Sequence, residues 1–113
     1  MSDIQSQIKQ AVENTDIVLF MKGERGMAAC GYSSLANQVL DLLGVDFEGI
    51  NVLASDEIRD GIKEYSNWPT IPQLYIKGEF IGGADIMREM FENGELLQLI
   101  QDKNIPNNPK DLG

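Results

Sequence analysis

Apolar positions along the chain change their period several times, and each change marks an element. From Asp3 to Asn14, Ile4, Ile8 and Val12 recur at four-residue spacing with Ala11 beside them, which predicts one apolar stripe of a helix. Ser2 followed by Gln5 resembles a capping box at its start. Ile17-Val18-Leu19-Phe20-Met21 is an unbroken apolar run. It is too short for a globular helix and rich in strand formers, as expected of a strand buried on both faces. Lys22-Gly23-Glu24-Arg25-Gly26 then reads as a polar loop. Residues 30 to 43 carry Leu35, Val39, Leu42 and Leu43 at helical spacing, and Gly44 is the natural stop. A weaker strand follows near Phe47 to Leu53. Ser55-Asp56-Glu57 opens a third helix with a Ser cap, acidic residues in the first turn, and Ile58, Ile62 and Tyr65 on one face.

Trp68-Pro69-Thr70-Ile71-Pro72 cannot be helical, because each proline removes a donor and restricts the residue before it. Gln73 to Lys77 and Glu79 to Ile81 read as a hairpin around Lys77-Gly78. Gly82-Gly83 leads into a fourth helix with Ile86, Met87, Met90 and Phe91. Asn93-Gly94 breaks it, and Leu96, Leu97 and Ile100 mark a fifth. The segment from Asn104, with Pro106, Pro109 and Gly113, reads as a flexible tail of an otherwise single domain, residues 1–113. The order is α, β, α, β, α, β, β, α, α. An opening strand–helix–strand implies a right-handed parallel unit, and the later hairpin adds antiparallel strands. The expected fold class is α/β, a four-stranded mixed sheet with helices on both faces, which resembles the layout of a thioredoxin-like domain.

Composition narrows the chemistry. The chain has 113 residues, 42% of them hydrophobic, which suits one domain with a real core. Asp plus Glu is 18 and Lys plus Arg is 9, for a net charge of −9. Such a balance argues against nucleic acid as a partner, since phosphate needs cationic surface. There is no His, which excludes catalytic triads and imidazole metal sites. The one Cys, Cys30, excludes an intramolecular disulfide and a metal cluster held by one chain's thiols. A reducing, cytoplasmic setting is the natural expectation. No apolar run approaches a membrane span, and Met1-Ser2-Asp3-Ile4-Gln5 has neither signal-peptide nor transit-peptide character.

Cys30 falls between a Gly-containing loop and a helix start. Unpaired N–H groups and the positive helix end stabilise a thiolate there, and Lys22, at the end of the first strand, brings a cation towards the same spot. Residue type alone favours a buried, inert Cys; the polar approach and the following Gly31 favour a reactive one. Ser33 holds the place where a dithiol oxidoreductase carries its second Cys, so a mixed disulfide on Cys30 needs an external thiol for its resolution. A plain helix-capping role for Ser33 is compatible with that. Ile71 before Pro72 reads either as an ordinary loop or as a backbone edge for an extended peptide. Gly82-Gly83-Ala84-Asp85 is either a plain helix entry or a carboxylate site at free N–H groups. Arg59 and Lys63 are either a solvated face or, with Lys22, a local cationic patch for a small anion.

In combination, Phe20-Met21-Lys22-Gly23, Cys30-Gly31-Tyr32-Ser33, Asn67-Trp68-Pro69-Thr70-Ile71-Pro72-Gln73 and Gly82-Gly83-Ala84-Asp85-Ile86 resemble the monothiol glutaredoxins of the Cys-Gly-Phe-Ser type. The likeness runs from about Ile4 to Lys103, and the long loop between Lys22 and Cys30 fits this class better than the dithiol one. The resemblance implies a thioredoxin-like fold with Pro72 cis and glutathione bound in a groove. Lys22 and Arg59 would face the glycine carboxylate of glutathione, Ile71 its cysteinyl backbone, and Ala84 and Asp85 its γ-glutamyl end. It also implies a homodimer bridging a 2Fe–2S cluster through two Cys30 thiolates and two glutathione thiols. Such proteins store clusters or pass them to apo iron–sulfur proteins, and they pair with BolA-like proteins. A cluster needs four thiolates, and a chain with one Cys meets that number only by sharing.

Two departures stand out. Tyr32 replaces the usual Phe and adds a hydroxyl beside Cys30. Ala84 replaces a Cys found in many relatives, so no second thiol is available to Cys30. The leading expectation is a glutathione-dependent iron–sulfur carrier acting in cluster transfer and iron homeostasis. The alternative is a glutathione-dependent thiol–disulfide oxidoreductase with Cys30 as nucleophile. A third reading is a regulatory module acting through a BolA-like partner.

Overall fold

A computed structural model describes residues 3–110. The elements are α1 (Asp3–Asn14), β1 (Ile17–Met21), β2 (Gly23–Glu24), β3 (Met27–Ala28), α2 (Gly31–Leu43), β4 (Glu48–Asn51), α3 (Asp56–Ser66), β5 (Gln73–Ile76), β6 (Glu79–Gly82), α4 (Ala84–Glu92) and α5 (Glu95–Asp102). The main sheet has four strands in the order β4-β1-β5-β6. β1 and β4 are parallel; β5 and β6 are antiparallel to their neighbours. The mixed sheet expected from the sequence is present.

The apolar run of β1 explains the three layers. Its side chains alternate between faces, as in any strand. Ile17, Leu19 and Met21 enter one core with Ala36, Val39 and Leu40 of α2, Met87 of α4 and Leu96 of α5. Val18 and Phe20 enter the other, with Ile8 and Val12 of α1 and Ile62 of α3. A strand sandwiched this way has no polar face to show, and all five residues are buried.

Several boundaries differ from the sequence reading. The polar loop after β1 contains a small hairpin, β2–β3, too short to leave a periodic signal. The fourth strand spans only Glu48–Asn51, and Val52–Ala54 form a single 3-10 turn. Ser2 of the expected capping box lies outside the described residues; the Gln5 amide donates instead to the Gly61 carbonyl of α3 at 3.0 Å. The segment expected to be a flexible tail packs against the fold as far as Lys110. Ile105 is buried in the core beside α2 and α5. The Asn108 and Lys110 N–H groups donate to the Leu43 and Leu42 carbonyls at 3.1 and 2.8 Å. One apolar side chain and two orphan helix carbonyls suffice to dock a segment whose composition reads as loop.

The strand registers gather the chain's chemistry at one end. Met21 lies opposite Asn51, Phe20 opposite Gln73, and Leu74 opposite Gly82. The C-terminal ends of β1, β4 and β6 and the N-terminal end of β5 therefore share one edge of the sheet. Open α/β sheets place their sites at such an edge. No helix among the described residues is long and apolar enough to cross a membrane.

Candidate functional site

The segments that bear Lys22, Cys30, Arg59, Ile71, Ala84 and Asp85 all meet this end of the sheet. Lys22 follows β1. Cys30 caps α2. Arg59 lies in α3, which begins just after β4. Ile71 precedes β5, and Ala84 and Asp85 open α4 after β6.

Cys30 is the N-cap of α2, with extended backbone (φ −147°, ψ 160°), and its Sγ accepts the Ser33 N–H at 3.4 Å. The thiol is half-buried. Burial pushes its pKa up, but the Ser33 hydroxyl, the Ser33 and Tyr32 N–H groups and the charge of Lys22 outweigh that, and the net shift is downward. A reactive thiolate at a helix start, rather than an inert core Cys, is the chemistry this arrangement supports. Lys22 reaches Cys30 through the backbone as well: the Ala29 N–H donates to the Lys22 carbonyl at 2.8 Å. The Lys22 ammonium has no carboxylate partner among the described residues.

Ser33 is not the helix cap: Cys30 is the N-cap, and Ser33 lies inside the first turn of α2. It is wholly buried, and its Oγ accepts the Lys22 N–H at 2.9 Å. That leaves the hydroxyl proton for the thiol.

A groove of about 320 Å³ is lined by Tyr32, two residues after Cys30, and by Thr70, Ile71, Pro72, Ala84 and Asp85. The structure therefore brings Ile71, Ala84 and Asp85 together. The Ile71–Pro72 peptide is cis. No backbone hydrogen bond among the described residues uses the N–H or carbonyl of Ile71, so an edge for an extended ligand is open. α4 starts at Gly83 with no side-chain cap, which leaves its first N–H groups free towards the groove. A Cβ on Gly83 would stand 3.3 Å from the Pro72 carbonyl oxygen, so a glycine there lets α4 close up against the loop. Asp85 is exposed and sits 3.8 Å from Arg88.

Arg59 is not part of the groove wall. Its Nη1 lies 3.4 Å from Asp56 Oδ1, and its Nε 3.4 Å from Asp60 Oδ1. A larger cavity of about 500 Å³ opens at the far end of the sheet, around Thr15, Asp46 and Pro106, and its lining includes no thiol.

Two supporting residues were not legible as such in the sequence. Gln73 is wholly buried, and its Nε2 donates to the Trp68 and Thr70 carbonyls at 3.2 and 3.1 Å. Its Oε1 accepts the Tyr75 hydroxyl at 3.2 Å. This amide fixes the loop that presents Ile71. The available signal was a lone amide heading the apolar run Leu74-Tyr75-Ile76, since a buried polar side chain must be hydrogen-bonded. The second is Arg25, whose guanidinium ties the loop before Cys30 to Asp46 and Phe47.

A thioredoxin-like sheet carrying a single activated thiol at a helix start, and a groove with a free backbone edge, defines a class of thiol proteins. Comparison with known proteins places the chain within it. The Glutaredoxin family profile matches residues 17–81. An uncharacterized ycf64-like monothiol glutaredoxin of Synechocystis sp. is 50% identical over 99 residues, covering 88% of this chain and 92% of that protein. Among solved structures, a monomeric truncated mutant of Trypanosoma brucei 1-C-Grx1 superimposes with a TM-score of 0.86 at 39% identity, covering 99% of this chain and 100% of the other. A buckwheat glutaredoxin–glutathione complex superimposes with a TM-score of 0.79 at 25% identity, covering 90% and 91%. This chain belongs to the glutaredoxin family, in its monothiol class.

Proposed function

We propose that this chain binds glutathione in the groove lined by Ile71 and Ala84 and, as a homodimer, shares a 2Fe–2S cluster that it stores or passes to apo iron–sulfur proteins. The observation that carries the reading is the solitary activated thiolate. A 2Fe–2S cluster takes four thiolates. Each chain offers one, and the described residues contain no group of three His, Cys, Asp or Glu side chains able to hold a metal. Two Cys30 thiolates and two glutathione thiols make up the number.

The residues fit glutathione. The free N–H and carbonyl of Ile71 suit its cysteinyl backbone. The uncapped start of α4 at Ala84, with Asp85 beside it, suits an α-carboxylate and its ammonium group. Lys22 and Arg59 supply cations for the glycine carboxylate. The exposed Met27 and Tyr32, on either side of Cys30 in sequence, offer apolar surface to a second copy or to a BolA-like partner. A cytoplasmic setting, iron homeostasis and independence of nucleic acid and membranes belong to the same reading.

Anaerobic reconstitution with iron, sulfide and glutathione, followed by gel filtration with an absorbance spectrum, tests it. A coloured dimer that requires glutathione and is lost in Cys30→Ser is expected. A colourless species under these conditions, or full cluster loading in Cys30→Ser, overturns it. The lowered thiol pKa also favours a second reading, a glutathione-dependent oxidoreductase. Brisk reduction of glutathionylated substrates by the apo-protein would put that reading first.

A further inference from the structure

The cation expected to receive the ligand's glycine carboxylate is already engaged. Arg59 lies between two carboxylates of its own helix, Asp56 three residues before it and Asp60 next to it. Both carboxylates are largely exposed, with side-chain exposures of 86% and 71%, and Arg59 itself is only half-buried at 41%. Both contacts are long for charge-assisted hydrogen bonds, at 3.4 Å, and they use different guanidinium nitrogens. Exposed pairs of this kind are weak, each worth a fraction of a kcal/mol, so an incoming carboxylate can displace them. It does so against the repulsion of two fixed negative charges a few ångströms away. Lys22, at the end of the neighbouring strand, carries no such companions among the described residues.

We propose that Asp56 and Asp60 set the site's affinity for a ligand carboxylate by competing for Arg59. They hold down the binding of thiol peptides with a free C-terminal carboxylate and leave carboxylate-capped thiols almost untouched. The inference rests on the reading of the groove as a glutathione site and goes beyond it by assigning a ligand-discriminating role to two residues outside the groove. The sign is the same whether the two carboxylates act by occupying the guanidinium or by repelling the ligand. Each makes the free acid bind less well than Arg59 alone would allow. The preference is electrostatic and exposed, so it diminishes as salt rises and the Debye length shortens.

Isothermal titration calorimetry tests the proposal with S-methylglutathione, which cannot form a disulfide, and with its glycine-amide analogue. Wild type, Asp60→Asn and Asp56→Asn/Asp60→Asn are compared at low and high salt. Asp60→Asn leaves the acidic first turn of α3 intact, and thermal melts monitored by circular dichroism check that each variant folds. The double variant is expected to bind the free acid about three- to ten-fold more tightly at low salt, the range that two exposed pairs allow. Asp60→Asn should fall in between, the amide should change little, and the gain should shrink at high salt. Equal gains for acid and amide, or no gain, overturn the role of the aspartates while leaving the glutathione site standing. A wild-type protein that binds neither compound at millimolar concentration, with Lys22→Ala and the aspartate variants equally silent, overturns both.

Discussion

The buried hydroxyl of Ser33 accepts the backbone N–H of Lys22 at 2.9 Å, and this one contact joins the end of β1 to the start of α2. With its lone-pair side used by Lys22, the hydroxyl donates towards Cys30. The position that a dithiol enzyme fills with a second sulfur here holds a proton donor for the first. Ser33→Ala should therefore raise the Cys30 pKa, read as an upward shift in the pH midpoint of iodoacetamide alkylation. The folded thiol titrates below its ordinary value, so ionisation favours the folded state. That contribution is present above the unfolded pKa and is lost as pH falls through the folded one. The same substitution strands a backbone N–H and should cost about 1–3 kcal/mol of stability in urea unfolding.

Lys22 lowers the same pKa by charge alone, and its effect ranks below those of the Ser33 hydroxyl and the local N–H groups. Lys22→Gln should shift the alkylation midpoint upward by less than Ser33→Ala does. Raising the salt concentration should erase the wild-type difference from Lys22→Gln, because a long-range charge is screened. It should leave the difference from Ser33→Ala in place. Equal shifts, or a salt response in Ser33→Ala alone, would reverse the assignment.

What the sequence made legible divides along physical lines. Hydrophobic period located the sheet and all five helices, because burial on one or two faces imprints directly on residue type. Cys30, Ile71, Ala84 and Asp85 were legible because Gly and Pro punctuate the backbone around them. The carboxylate pairs of Arg59 were not: Asp56 reads as first-turn acid, Asp60 carries no signal of its own, and only side-chain geometry shows that both turn to one guanidinium. The Ser33–Lys22 bond and the reach of Gln73 to Trp68 and Thr70 join elements or loops whose meeting no local spacing announces. Docking of Ile105 was hidden for the opposite reason, since a single apolar residue among Asn and Pro makes no period.

Gln73 and Tyr75 carry the third prediction. Gln73→Leu removes an amide that serves two loop carbonyls and one phenol. It should destabilise the fold by about 1–3 kcal/mol, the cost of leaving the buried Tyr75 hydroxyl without its acceptor, since the Trp68 and Thr70 carbonyls belong to exposed residues and can turn to water. Burial pushes the Tyr75 pKa up to about 12, with the Ser66 hydroxyl opposing and Tyr65 adding. A phenol raised in the folded state leaves stability intact below its unfolded pKa of about 10. Stability is then lost as pH climbs through the folded value. Tyr75→Phe should remove that alkaline loss, seen by comparing thermal melts between neutral and strongly alkaline pH.

The docked C-terminal segment gives a prediction of its own. Gly44 ends α2 in the left-handed region at φ +66°, and a Cβ there would collide with the Asn108 backbone. Gly44→Ala should both strain the helix cap and lift the segment, for a combined cost of about 1–3 kcal/mol. Hydrogen exchange should quicken at the Asn108 and Lys110 amides while the β1 amides stay protected.

Arg25 holds the loop before Cys30 from outside the site. Its Nη1 donates to Asp46 Oδ1 at 2.8 Å and to the Phe47 carbonyl at 2.7 Å, and its guanidinium carbon stands 4.0 Å over the Phe47 ring. A lysine could keep the charge but not the planar stacking together with both bonds. The Arg25 hydrogen bond and charge hold the Asp46 carboxyl below its usual pKa, so the pair persists into mildly acidic solution and fails as pH falls through that lowered value. Arg25→Lys and Arg25→Ala should both speed amide exchange at Gly26, whose N–H is bonded to Asn37 Oδ1 at 3.1 Å. Because the Ala29–Lys22 and Ser33–Lys22 bonds hold Cys30 independently of Arg25, the alkylation midpoint should move little. A large shift of the thiol pKa in Arg25→Ala would mean that the loop, rather than the α2 start, sets the reactivity of the thiol.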